Sequence, residues 1–331
     1  MEAQEDLIPT AVVESPSILR WRTILAVPLV AAVAWGVHWL IAKQEAPLET
    51  HSYRLLFIEV IAVAIVLALL RRFSAKLRRW MANMWPIFTA AIVTLCIWDI
   101  TTVGLHILPL PYFPGPAAVL RSLINDRVLL LDSTWHSLVL LLSGYSMGVI
   151  AGLISGVCIG WSNPIRYWGM PILKVIGPIP ATAWIPLALV LSPSAAMSSA
   201  ALIGLAVWFP VTMLTASGIS NTRASYLDVA RTLGANSHYL IFRVAIPAAL
   251  PNIFIGLFMG LGASFLTLVV AESVGVKSGL GWYVSWAQGW AEYGKVFAAL
   301  IIMAAFFSTI MTLLFKLRDR VLVWQKGVIK W

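Results

Sequence analysis

The sequence predicts an all-α fold, a polytopic transmembrane helical bundle, on three observations. Apolar residues make up 60% of the 331 positions and charged residues 11%, against about 25% charged in an ordinary soluble domain. Mean hydropathy is +0.88. The apolar residues also come in long unbroken runs. Crossing a hydrocarbon core of ~30 Å takes ~20 helical residues, and lipid admits only helices or closed barrels. Runs of this length and continuity are helices, not barrel strands.

Eight spans are predicted, at about 22–42, 54–70, 84–108, 134–160, 167–191, 197–219, 247–271 and 296–316. Basic residues orient them, because Lys and Arg collect on the cytoplasmic side. With the N-terminus inside, that side holds Arg20 and Arg22; Arg71, Arg72, Lys76, Arg78 and Arg79; Arg166 and Lys174; Arg223, Arg231 and Arg243; and Lys316, Arg318, Arg320, Lys326 and Lys330. The other side holds Lys43, Arg54, Arg121, Arg127, Lys277 and Lys295. Seventeen against six places both termini in the cytoplasm, provided the span count is even. The net charge of +9 is thus accounted for by topology and calls for no nucleic acid. Membrane lipid is the expected surrounding. No stretch reads as a cleavable signal peptide, since Met1–Leu19 opens acidic and no small-residue cleavage site follows the first apolar run.

The chain divides into residues 1–80, with two spans and a basic cytoplasmic linker ending at Arg79, and residues 81–331, with six. The basic run Arg71–Arg79 reads either as an ordinary stop signal or as a contact with anionic headgroups. No repeat of fixed period stands out. The non-cytoplasmic segment His106–Pro116 is proline-rich and is expected to be extended and stiff. Cys96 and Cys158 both fall in apolar runs, lack a CxxC partner and are expected to be buried small hydrophobes.

Between the sixth and seventh spans lies a polar loop of about 220–246. Tyr226, Val229, Ala230 and Leu233 fall at i, i+3, i+4 and i+7 and make one apolar stripe. Ser225 with Asp228 fits a capping box, Gly234 suits a left-handed helix end, a second short segment Ser237–Arg243 follows, and Pro247 opens the next span. A short amphipathic helix of this kind lies on a membrane surface or docks in a partner's groove. Chemistry alone leaves the two open.

Asp228-Val229-Ala230-Arg231-Thr232-Leu233-Gly234-Ala235, continuing to Ile246-Pro247-Ala248-Ala249-Leu250-Pro251, resembles the EAA loop of ABC importer permeases. Asp228 stands for the usual Glu and Val229 for the first Ala. Pro114–Leu120, His136–Gly144, Pro178–Leu187, Phe209–Pro210 and Ala271-Glu272 through Gly279-Leu280-Gly281 resemble, in order, permeases of the sulfonate, taurine, nitrate and bicarbonate importers. The resemblance covers about 84–331. It implies a type I ABC importer permease core preceded by two extra transmembrane helices, in a bacterial inner membrane. It also implies partners: two ATPase subunits that bind ATP and Mg, a second and usually identical permease subunit, and a periplasmic substrate-binding protein. Tyr226, Asp228, Val229, Ala230, Leu233, Gly234 and Pro247 would couple to the ATPase. The solute implied is a small oxyanion. The region after Pro186, where the family carries a Gly and charged residues, is here Leu191-Ser192-Pro193-Ser194-Ala195-Ala196-Met197 without charge.

No GxxxxGK[ST] occurs in the chain, so ATP is expected to be bound in trans and no cofactor in this chain. Ionisable residues in spans are costly and point to function. Glu272 reads as a gate or helix-end contact near the outer end of the pathway, or as a cap on the turn that follows. Asp99 lines the pathway or pairs with a polar neighbour. Lys174 snorkels to the cytoplasmic surface, or faces the pathway and suits an anion. His38 and Glu59 are expected to make inter-helix or interfacial bonds. These groups form no catalytic set and no zinc spacing, which disfavours a membrane-embedded enzyme. A gradient-driven secondary transporter would show paired broken helices and midplane carboxylates, and the polar loop disfavours it.

Overall fold

The structure, a computed structural model, describes residues 19–41, 47–70 and 73–325. Arg71, Arg72, Lys43, Lys326 and Lys330, used above in the charge count, lie outside them. Among the described residues every regular element is helical. Six helices are long and apolar enough to cross a membrane: His51–Leu70, Ala75–Gly104, Arg127–Trp161, Ala195–Ser220, Ser237–Gly275 and Tyr293–Val321. A shorter apolar helix, Ala26–Ile41, and one sharply bent pair complete the apolar set.

The chain forms two compact units, Met1–Arg121 and Ser122–Trp331. The expected boundary at residue 80 instead falls inside a helix. In the first unit α1 (Leu19–Ile41), α2 (Pro47–Leu70) and α3 (Ala75–Asp99, extended by a π-helical turn Ile100–Gly104) pack together. Val27, Ala31 and Ala34 of α1 meet Tyr53, Phe57 and Ala64 of α2 and Met81, Trp85 and Ile92 of α3. The positions recur at four- and seven-residue intervals, which is what puts them on one helix face. Ser74 caps α3 by accepting a hydrogen bond from the Leu77 amide at 3.3 Å. The Pro-rich segment is not extended throughout. A turn closed by Phe113 N–H to the Pro109 carbonyl (3.2 Å) folds it back, and the Trp98 indole donates to the Pro114 carbonyl at 3.1 Å. Prolines fix φ but leave carbonyls free to accept, and here the accepting groups decide the path. α4 (Pro116–Asn125) carries the division between the units.

In the second unit α5 (Arg127–Trp161) lies along α8 (Ala195–Ser220). Gly144, Gly148, Gly152, Gly156 and Gly160 of α5 face Ile203, Val207, Val211, Thr215 and Ile219 of α8 in register. This corrects the reading that no fixed-period repeat exists, because the glycines recur every fourth residue. At Gly148 a Cβ would strike the Gly204 carbonyl and come within 2.7 Å of Val207. Small residues at this spacing let backbones approach where lipid gives no hydrophobic drive. α11 (Ile246–Gly275) covers the other side of α8 in the opposite direction, with Gly218 against Ala249 and Gly260 against Val207.

The register along α5 and α8 rises together, so the two helices are parallel. The connection from 162 to 194 must therefore return across the membrane. It does so as α6 (Asn163–Ile176) and α7 (Ile185–Leu191), the latter preceded by a 3₁₀ turn Ala181–Trp184. The two arms meet at 85°. The expected continuous span over 167–191 is thus a broken crossing. Its cause is local: Gly177-Pro178-Ile179-Pro180 removes two N–H donors within four residues. One such bent pair occurs among the described residues. α12 (Leu280–Gly289) and α13 (Tyr293–Val321) close the unit, with Phe307 of α13 stacked 3.9 Å from Phe265 of α11.

Candidate functional site

The polar loop folds as α9 (Ala224–Thr232) and its C-terminal turn. The helix starts two residues earlier than the capping-box pattern implies. Arg223 occupies the N-cap position and provides no side-chain bond. Ser225 therefore lies inside the first turn, where its hydroxyl cannot cap it, and the expected Ser225–Asp228 box does not form. Asp228 instead accepts from the Arg231 guanidinium at 3.1 Å, and Arg223 lies over the Tyr226 ring, 5.9 Å from its centroid.

The stripe splits by exposure. Tyr226, Val229 and Leu233 are 51%, 61% and 83% exposed, while Ala230 and Leu227 are half-buried. Tyr226 and Val229 on the helix and Leu233 at its C-cap thus present three large, mostly exposed apolar side chains. The C-terminus is tightly held. The Gly234 amide donates to the Arg231 carbonyl (2.9 Å) and the Ala235 amide to the Ala230 carbonyl (3.0 Å). That pair of bonds requires a left-handed residue between helix and exit, and Gly234 has φ +85°.

Asn236 then caps the next segment by accepting from the Tyr239 amide at 2.9 Å. α10 (Ser237–Tyr239) runs through a π-helical stretch, Leu240–Ala245, directly into α11. The expected separate segment Ser237–Arg243 and the expected span start at Pro247 are therefore one helix, Ser237–Gly275. Pro247 lacks an N–H and its ring crowds the carbonyl four residues back. The wider π turns just before it absorb that clash. Leu240 and Ala245 are buried, so the base of the loop is anchored while its helix projects.

At the other end of α11, Glu272 is 1% exposed. Ser137 of α5 donates to its Oε1 at 2.7 Å, and the Gly281 amide donates to its Oε2 at 2.8 Å. The Leu280 amide donates to Ser137 Oγ at 2.8 Å. The carboxylate thus satisfies one orphan amide in the first turn of α12 and the Ser137 hydroxyl a second, with the helix dipole favouring negative charge there. Gly279 (φ +108°) leaves room for it, since a Cβ there would strike the carboxyl group. A cleft of about 390 Å³ opens beside this latch, lined by Trp135, His136, Val139, Leu140, Ser143, Ala196, Ala200, Val276 and Ser278 along with Glu272.

A second polar cluster lies at the same end of the unit and had no signal in spacing. Tyr283 Oη donates to Asp126 Oδ2 at 2.7 Å, and Lys295 bridges Asp126 (3.5 Å) and Glu292 (2.7 Å). Burial and the Asp126 carboxylate push the Tyr283 phenol well above the ordinary tyrosine range. Its members are 157 and 169 residues apart from Asp126, so only the fold brings them together.

Asp99 is not near these groups in sequence or unit. It is 2% exposed in the first unit, with Oδ2 at 2.7 Å from His38 Nδ1. Lys174 is exposed, in the last turn of α6. Among the described residues no three His, Cys, Asp or Glu converge as metal ligands.

Residues 148–322 match the family described as binding-protein-dependent transport system inner membrane component. The putative aliphatic sulfonates transport permease protein of Bacillus subtilis is 32% identical over 215 residues, 64% of this chain and 77% of its own length. The taurine transport system permease protein of Escherichia coli is 31% identical over 235 residues, 66% of this chain and 85% of its own. The nitrate import permease protein of Synechocystis is 31% identical over 172 residues, 52% and 60% respectively. Among solved structures, a chain of the inward-facing MetNI methionine ABC transporter shares the fold with TM-score 0.52 and 16% identity, covering 60% of this chain and 98% of that one.

Proposed function

The chain belongs to the binding-protein-dependent transport system inner membrane component family, as a permease subunit of an ABC-type importer, and on that premise we propose that α9 is the helix through which a separate ATPase drives it. The subunit is not itself an enzyme, and it is a multi-pass protein of the inner membrane. Family membership implies an ATPase and a substrate-binding partner.

The observation that carries the proposal is the outward stripe of Tyr226, Val229 and Leu233 on a helix bonded through Gly234 to a single 39-residue helix. A contact on the stripe acts on a rod that reaches the Glu272 latch. Asp228, Ala230 and Pro247 shape the same lever. Two ATPase copies carrying ATP and Mg, an identical second permease and a periplasmic binding protein complete the assembly. With the broken crossing counted as one span and the short α1 as another, both termini and α9 are cytoplasmic, and Glu272 and α12 face outward. The first two spans, α1 and α2, are an addition to the six-span core that begins with α3, which accords with relatives that align over about two thirds of the chain. Relatives named for sulfonates, taurine and nitrate support a small oxyanion as the solute.

The test is co-purification with the cognate ATPase. Leu233→Glu should abolish ATPase capture and transport while the permease still inserts and remains monodisperse in detergent. Normal capture by Leu233→Glu, with Gly234→Trp and Asp228→Lys also transporting at the native rate, would remove α9 from the mechanism.

A further inference from the structure

Gly177–Pro180 interrupts a membrane crossing, and its depth can be read from the structure. A Cβ on Gly177 would strike the ring of Phe209, which lies near the middle of Ala195–Ser220. The parallel run of α5 and α8 makes 162–194 a full crossing, so the break sits close to its midpoint. The turn bonds around it are Gly177 N–H to Leu173, Ile179 N–H to Ile176 and Ala183 N–H to Pro180. The carbonyls of Gly177, Pro178 and Ile179 are left without a partner among the described residues. Pro178, Ile179 and Pro180 are exposed.

Unpaired main-chain carbonyls at membrane depth each cost several kcal/mol in hydrocarbon, so irregular backbone persists there only where protein buries it or water reaches it. Gly177 is backed by Phe209 on one side, and the exposed side has no covering residue among the described residues. Lipid is excluded by the carbonyls. We propose that the Gly177–Pro180 break is a polar girdle of the translocation pathway, where these three carbonyls hold a hydrogen-bond-donating group of the solute, an ammonium or hydroxyl. Carbonyl oxygens accept and do not donate, so the oxyanion end of a solute is held elsewhere. A solute with both an anionic and a donor end suits the girdle better than a bare oxyanion. The inference rests on the permease reading and deepens it.

The test uses the full chain with its ATPase in proteoliposomes, with Cys96→Ala and Cys158→Ala as background. Ile179→Cys is compared with Ile154→Cys, which is 62% exposed and lies between Gly152 and Gly156, opposite the glycine face of α5. Thiol reagents of similar size, one with a trimethylammonium head and one with a sulfonate head, are applied, each rate normalised to a free small thiol. The expected result is modification of Ile179→Cys and not Ile154→Cys, with the cationic reagent about threefold faster, in line with a modest favourable potential from the carbonyls. Equal labelling of both positions, or no labelling of Ile179→Cys, overturns the pathway assignment. An oxidant-induced cross-link between two copies through Ile179→Cys in place of labelling overturns it too, assigning the break to a subunit contact. Labelling at equal rates or faster by the anionic reagent overturns the donor class. ATPase capture, measured on the same preparation, reports separately on α9.

Discussion

Between α5 and α8 the seam is made of missing side chains, whereas between α1 and α3 it is made of a buried hydrogen bond. Five glycines in register, from Gly144 to Gly160, bring the first pair close. His38 and Asp99 join the second pair at one point, 2.7 Å apart, among alanines and aromatic rings. His38 Nε2, Asp99 Oδ1 and Tyr53 Oη find no partner there. The difference reflects what each seam has to do in lipid. Close backbone approach gathers many weak contacts and cannot tolerate one added carbon. A polar pair concentrates its contribution in one bond, and loses it when one partner is removed.

Three substitutions, in falling order of effect, break or sharpen that contrast. Gly148→Leu places a side chain into the Gly204 carbonyl and Val207. Overpacking typically costs about 1–3 kcal/mol, and more where the obstacle is backbone. The expected outcome is loss of folded permease from detergent extracts by size-exclusion chromatography. Gly262→Leu, with open space at its Cβ, should extract normally, and equal loss in both would mean the ladder is not the reason.

Asp99→Leu comes next. Hydrogen bonds between membrane helices average about 0.6 kcal/mol and reach about 1.7. The single change should lower the thermal midpoint by a few degrees and leave the protein assembled. The double change His38→Leu with Asp99→Leu should recover part of the loss, because no buried polar group is then stranded. If transport falls without a change in midpoint, Asp99 acts on the pathway and not on the seam.

Asp228→Ala is the smallest. Its pair with Arg231 is exposed on both sides, and such pairs contribute about 0–1 kcal/mol. The midpoint should hold within error in a differential scanning measurement. A marked drop would show that α9 has structural partners of its own.

Much of this is legible in the amino-acid sequence. Composition and run length determined a helical membrane bundle, since no other fold keeps so much apolar surface and so many backbone groups satisfied in lipid. The stripe on α9 and the left-handed Gly234 followed from period and residue type. The four-residue glycine repeat is equally present in the chain, and its spacing alone places it on one face of a helix. The helix starts at Ala224 and not after Ser225, because a Ser-x-x-Asp pattern is only a local option and Asp228 has a competing partner in Arg231.

The tertiary structure alone decided the rest. It took Glu272 from a candidate charge in a span to a carboxylate with both oxygens engaged, through Ser137, which lies 135 residues away. It paired His38 with Asp99 across 61 residues. It also set how sharply one apolar run bends, at 85°, in its broken crossing. The two prolines near 178 and 180 marked a weak point in that run, but how far it bends depends on its neighbours. The parallel register of α5 and α8 forces the return across the membrane, and Phe209 leaves no room for anything but glycine at 177. Period and hydropathy report what one helix wants to bury; which groups meet at depth is a property of helices packed together.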